Sequence, residues 1–273
     1  MTTTTAQRQS VVPNARLTGV GILRSEWTKT RSLRSTVWSF IAAIVLLVGV
    51  SALISFATAD NWKTMDPGER AGFDATSTSI AGGFLAQLAI GVLGVLLISG
   101  EYSTGMIRST MSAVPRRLPA LWGKVVVFTV VTFVTMLVST LLAFAIGQQL
   151  LKSTGASVGF GDPQVMRALV GAALYLTVVG LLGMGLGALL RHSAGAISTL
   201  VGILLVLPII TAFLPADLQR TIRKFLPGEA GQQVLMVVPN PDALSPWAGF
   251  GLFVGYAALV MVVAAFLLKR RDV

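Results

Sequence analysis

Few residues in this chain could do covalent or metal chemistry. It has no cysteine and a single histidine, His192, so thiolate ligation, disulfides and cysteine nucleophiles are excluded and a His-pair zinc site is out of reach. The nearest fragment to a phosphate-binding loop, Gly123-Lys124-Val125, lacks the upstream glycine and the hydroxyl of G-x-x-x-x-G-K-[ST]. No nucleotide, cofactor or metal is therefore expected on this chain. A hydrolytic site needs a general base beside its nucleophile. His192, next to Arg191 at a helix end, reads instead as a solvated interfacial residue, and the expectation is a protein that is not an enzyme. What does stand out is the stretch from Glu101 through Ser103, Thr104, Gly105, Met106, Ile107 and Arg108 to Met111, Val114 and Pro115-Arg116-Arg117. Ser103 or Thr104 can cap a helix and Pro115 stops it. Between them Met106, Ile107, Thr110, Met111 and Val114 make a partly apolar stripe. Two readings fit: a contact for a protein partner, to which flexible methionines are suited, or a short helix packed on its own bundle.

The elements that position this stretch follow from composition. Of 273 residues 54% are hydrophobic and only 12% charged, with mean hydropathy +0.78. An ordinary soluble domain is nearer a quarter charged. Six runs, about 37–58, 80–99, 125–147, 168–190, 193–214 and 248–268, contain no Asp, Glu, Lys, Arg or His. Each is about the length that crosses a bilayer as a helix. Strands of a β-barrel would be half as long and would alternate in polarity. The fold class is thus all-α and integral to a membrane: one six-span domain over 17–273, after a polar, Thr-rich tail at 1–16 expected to be disordered.

Charge fixes the expected orientation. If the amino terminus is cytoplasmic, the inner segments hold 14 Lys/Arg against three acids, and the outer loops hold seven cations against eight acids. That is the positive-inside asymmetry, and it accounts for the net charge of +10 without nucleic acid. Both termini are then cytoplasmic. The five tryptophans, at 27, 38, 62, 122 and 247, fall near span ends or in the amino-terminal segment, as interfacial indoles do. No cleavable signal peptide is evident before the first span.

Three further segments carry pattern. Leu17, Val20, Leu23 and Trp27 share one helical face, with Arg24 and Arg31 at its margin and Glu26 and Lys29 pointing away. This fits a helix lying in the inner interface, or a frayed extension of the first span. In the loop between the fifth and sixth spans, Leu214, Leu218, Ile222, Phe225 and Leu226 keep helical spacing opposite Arg220, Arg223 and Lys224, and Pro227-Gly228 ends that pattern. An amphipathic helix on the outer surface, or one dipping back into the bundle, is expected. Within the spans, Gly183 and Gly187 have small-xxx-small spacing for close helix contact, with substrate contact as the other reading. Pro208 should kink the fifth span, as hinge or as shape. Gln87, Tyr175 and Tyr256 are the deepest polar groups, placed to bond a neighbouring helix or a ligand.

Proton-driven carriers commonly place carboxylates or histidines inside the bundle. Here the six runs have none, so energy for uphill transport is expected to enter from another polypeptide.

In the order of its motifs the chain resembles the permease subunits of ABC transporters of the type-2 exporter class, in the short six-span bacterial form. The residues that carry the likeness are Arg24-Ser25-Glu26-Trp27-Thr28-Lys29-Thr30-Arg31 before the first span, Gly100-Glu101-Tyr102 with Gly105-Met106-Ile107-Arg108 after the second, Pro115-Arg116-Arg117 followed by Lys124, and the closing Leu267-Leu268-Lys269-Arg270-Arg271-Asp272. The resemblance implies that Leu17 to Arg34 is an interfacial elbow and that Ser103 to Val114 is a coupling helix seated in a separate nucleotide-binding ATPase, with Glu101 and Arg108 near the contact. It also implies outer re-entrant helices between Pro215 and Trp247, and ATP and Mg bound in the partner. A second permease copy would complete the unit in the bacterial plasma membrane, with the path along the second and fifth spans. Against this stand a membrane anchor that docks a cytoplasmic protein without transport, a gradient-driven carrier, and, last, an intramembrane enzyme.

Overall fold

The computed structural model describes residues 18–103, 105, 117–238 and 240–270, and these are helical, with no strand among them. The helices are α1 (Gly19–Ser32), α2 (Arg34–Asn61), the short α3 (Pro67–Ala71) and α4 (Ala75–Ser79), α5 (Gly83–Ser103) and α6 (Arg117–Leu151). They continue with α7 (Val165–Leu190), α8 (Ser193–Thr211), α9 (Ala216–Arg223), α10 (Pro227–Gln232) and α11 (Pro246–Arg270). Six of them, α2, α5, α6, α7, α8 and α11, are long and apolar enough to span a membrane. With no water in hydrocarbon to satisfy backbone groups, a helix that bonds itself is the form such segments take.

The helices overrun the uncharged runs, because a helix needs only its middle to be apolar. α5 starts at Gly83, after a turn through Ile80 that follows the Asp74-capped α4, and runs on through Glu101. α6 begins at Arg117 and so includes Lys124. α8 stops at Thr211, short of the expected Leu214. Within α8, residues Gly202–Val206 form a π turn just before Pro208, and the Leu207 N–H reaches Gly202 O, five residues back. Pro208 has no N–H and its ring crowds the preceding turn. The widened turn is the local answer to that crowding.

α7 is the central helix: 83% of its most apolar window is buried, against 22% for α8. It crosses α5 with backbone against backbone. A Cβ on Gly94 would overlap Gly180 O, one on Gly183 would overlap Gly91 O, and one on Gly187 would lie 2.7 Å from Val95 O. Lipid tails are as apolar as leucine, so helices in membranes gain from such close approach rather than from hiding oily surface. Gly185 turns the other way, to Val260 and Met261 of α11.

Replacing Gly183 with Ala should lower the thermal unfolding midpoint, with about 1–3 kcal/mol lost to overpacking. Gly255→Ala, where a Cβ would meet nothing within 4 Å, should leave the midpoint unchanged or raise it. Light-scattering-monitored melts of the detergent-solubilised protein compare the two.

Candidate functional site

Two polar sites sit at opposite ends of the α5–α7 pair. At the first, α1, α5 and α6 meet. Ile22 of α1 fits against Gly123, where a Cβ would lie only 2.6 Å from its methyl group. That approach brings Glu26 onto the bundle. Lys124 Nζ lies 2.7 Å from Glu101 Oε1 and 2.9 Å from Glu26 Oε2, and Lys29 Nζ lies 2.7 Å from Glu26 Oε1 and 3.7 Å from Glu101 Oε1. The side chains of Glu26, Glu101 and Lys124 are 4%, 7% and 11% exposed, so these charges are nearly dry, while Lys29 at 31% faces the outside. Two carboxylates and two ammoniums sum to zero, which is what permits the group to be buried. Burial alone would push the Glu26 carboxyl up, but the Lys124 ammonium and hydrogen bonds from Lys29 and Lys124 outweigh it and hold the group below its ordinary value.

Glu26 points away from the Val20–Leu23–Trp27 face, as its spacing implies, but into the bundle: α1 presents that apolar face outward, with Val20, Leu23 and Trp27 75%, 37% and 50% exposed. Arg24 and Arg31 are exposed too. Glu101, in the last turn of α5, is turned inward onto Lys124. Ser103 ends that helix, its hydroxyl donating to Gly100 O, and Gly105 takes φ +70°. Thr104, Met106, Ile107, Arg108, Met111 and Val114 lie outside the described residues, as does Leu17. Glu26 and Lys124 were not singled out as site residues, although Lys124, like Glu101, is a charge standing alone at the end of a span.

The turn between α7 and α8 packs at the same end. Arg191 closes α7 in a left-handed conformation (φ 55°), its N–H on Gly187 O and its guanidinium 5.1 Å from the centre of the Tyr102 ring. His192 Nδ1 accepts from the Gly195 N–H, so the one histidine caps α8. Ser193 Oγ lies 2.8 Å from Ser99 Oγ of α5.

At the second site the structure brings Gln87 of α5 and Tyr175 of α7 together. The Tyr175 hydroxyl donates to Gln87 Oε1 at 2.6 Å and accepts from Gln232 Nε2 at 3.2 Å. Gln232 arrives because Pro227, expected only as a stop, opens α10 at its first turn, where a missing N–H costs nothing. α10 tucks between α7 and α11, with Gly231 against the rings of Tyr175 and Phe253 and Ala230 O over Gly249. Tyr256 of α11 donates to Phe225 O and ties down the segment before α10. Gln232 carries no local pattern that would have marked it, since its partner is 57 residues away. Pro208 reaches neither site.

A family model described as an ABC-2 family transporter protein matches residues 22–216, most of the chain, and the chain belongs to that family. It is therefore a multi-pass membrane protein with the part of a transporter permease. No curated protein matches it.

Lys124→Met leaves two nearly buried carboxylates sharing only Lys29 and should destabilise by about 3 kcal/mol, whereas Lys124→Met combined with Glu26→Gln and Glu101→Gln should recover much of that loss. The Glu26 carboxyl is held low when folded, so its contribution is complete above the unfolded value near 4.5 and is lost as pH falls below it. Melts between pH 7 and pH 3.5 should show a steeper acid loss for the wild type than for Glu26→Gln.

Proposed function

We propose that the chain is the membrane-spanning permease of an exporter, driven by ATP hydrolysis in a separate nucleotide-binding subunit that docks on the loop between α5 and α6. The observation that carries this reading is the placement of charge. The six uncharged runs within the long helices hold no Asp, Glu, Lys, Arg or His, while the root of that loop is bolted to α1 and α6 by the Glu101–Lys124–Glu26–Lys29 group. A bundle without a proton or ion relay takes its energy mechanically, and a loop held at both roots passes a push into the helices rather than flexing.

In this reading the α1 end is cytoplasmic, α1 is the interfacial elbow with Trp27 in the headgroup zone, and both termini are inside. ATP and Mg are bound by the partner. α9 and α10 are the outer helices that close the exit. α8, whose apolar residues Ile209 and Ile210 are more than half exposed, is the face left for a second permease copy.

With a Walker-motif ATPase co-expressed, Met106→Asp and Arg108→Glu should each cut copurification about tenfold, a loss of ~1.4 kcal/mol. Substrate movement in vesicles should need ATP and ignore a protonophore. Copurification unchanged by several such reversals, or uphill transport by the purified chain alone, sinks the reading.

A further inference from the structure

Beside the Tyr175 hydroxyl lies a cavity of about 170 Å³, walled by Leu47, Ile80, Ala81, Phe84 and Leu176 and by Gln87 itself. Phe84, 55% exposed, is the lining residue that meets the outside. Its polar groups run in one direction: Gln232 donates to Tyr175, and Tyr175 donates to Gln87 Oε1. The chain of donors ends on Gln87 Nε2, which has no hydrogen-bond partner although Gln87 is 1% exposed. A buried donor left unmade costs about 1–3 kcal/mol, so this amide is poised for an acceptor from outside the protein.

A buried water needs two to four polar partners, and besides Gln87 the space has three polar side chains among mostly apolar ones: Tyr175, which already donates and accepts, Ser77, which donates to Asp74 Oδ2, and Gln232. Apolar cavities of about 150 Å³ stay dry and take molecules the size of benzene. No charged side chain lines the space, so an ion would be desolvated without compensation.

We infer that this cavity is a binding site for an uncharged amphiphile, which places one carbonyl or ether oxygen on Gln87 Nε2 and a segment of about six carbons among the surrounding apolar side chains. The ligand's oxygen accepts; the rest of the molecule leaves past Phe84 toward the hydrocarbon. The site lies within one bundle, between α2, α4, α5, α7 and α10, and it holds whether or not a second copy or an ATPase is bound.

The test uses the full chain in detergent with methyl laurate as acceptor-bearing probe and pentadecane as its size-matched control. Methyl laurate should raise the unfolding midpoint of the wild type by about 2–4 °C, and pentadecane should not. Gln87→Leu should abolish the difference. Ala81→Leu, which fills the cavity and leaves the three polar side chains in place, should abolish it as well. Native mass spectrometry of the protein from its own membrane then separates the two sources: a retained acyl lipid, lost in Gln87→Leu, identifies a bilayer lipid, and an empty but ester-responsive protein identifies a free solute. Equal shifts with ester and alkane, or no shift with either, overturn the inference.

Discussion

The contact between α5 and α7 sets the positions of everything functional in this chain. Gly94 on one helix faces Gly180 O, and Gly183 and Gly187 on the other face Gly91 O and Val95 O, so at these points backbone meets backbone. The crossing is therefore fixed by carbonyl and Cα surfaces, which cannot yield as a side chain can. From that fixed crossing, Gln87 is carried one turn to one side, where it meets Tyr175. Glu101 is carried to the other side, where it meets Lys124. In hydrocarbon this is the economical way to join helices, since side-chain burial gains little over lipid and close packing supplies the attraction.

The four charges at the α1 end do different work. Replacing a buried ion pair by well-packed apolar groups is often neutral or stabilising, so such a group is weak grounds for stability. Its value here is in register. Lys124 reaches carboxylates on two other helices at 2.7 and 2.9 Å, and a rotation of α1 by one residue would aim Trp27 or Ser25 at it instead. Beyond Ile22 against Gly123, α1 has little else to fix its rotation, because Val20, Leu23 and Trp27 face outward and its first turn is capped by Thr18.

The spans were legible because bilayer thickness imposes a length on uncharged sequence, and the crossing helices were legible in part through the glycine spacing at 183 and 187. The outward apolar face of α1 is what the spacing of Val20, Leu23 and Trp27 implies for an interfacial helix. What that spacing does not show is that the opposite face docks on the bundle through Ile22 and Glu26, because their partners Gly123, Lys124 and Glu101 are far along the chain. The Gln87–Tyr175–Gln232 group was half legible: two of its members are conspicuous polar residues within spans, while the third lies in a loop whose return into the bundle depends on Pro227 and on the small residues Gly228, Ala230 and Gly231, all three buried.

One helix joins the two sites. Gln87 and Glu101 are both on α5, 14 residues apart, which at the helical rise is about 21 Å. No proline or π turn interrupts α5 between them, in contrast to α8, where a π turn and Pro208 soften the middle. The two groups are therefore held by one uninterrupted rod, seated against α7 along the backbone contacts of Gly94, Gly183 and Gly187. Tyr175 belongs to α7 and Gln232 to α10, so the bonds from Gln232 to Tyr175 and from Tyr175 to Gln87 tie this end of α5 to two other helices, as Lys124 ties the opposite end to α6 and α1.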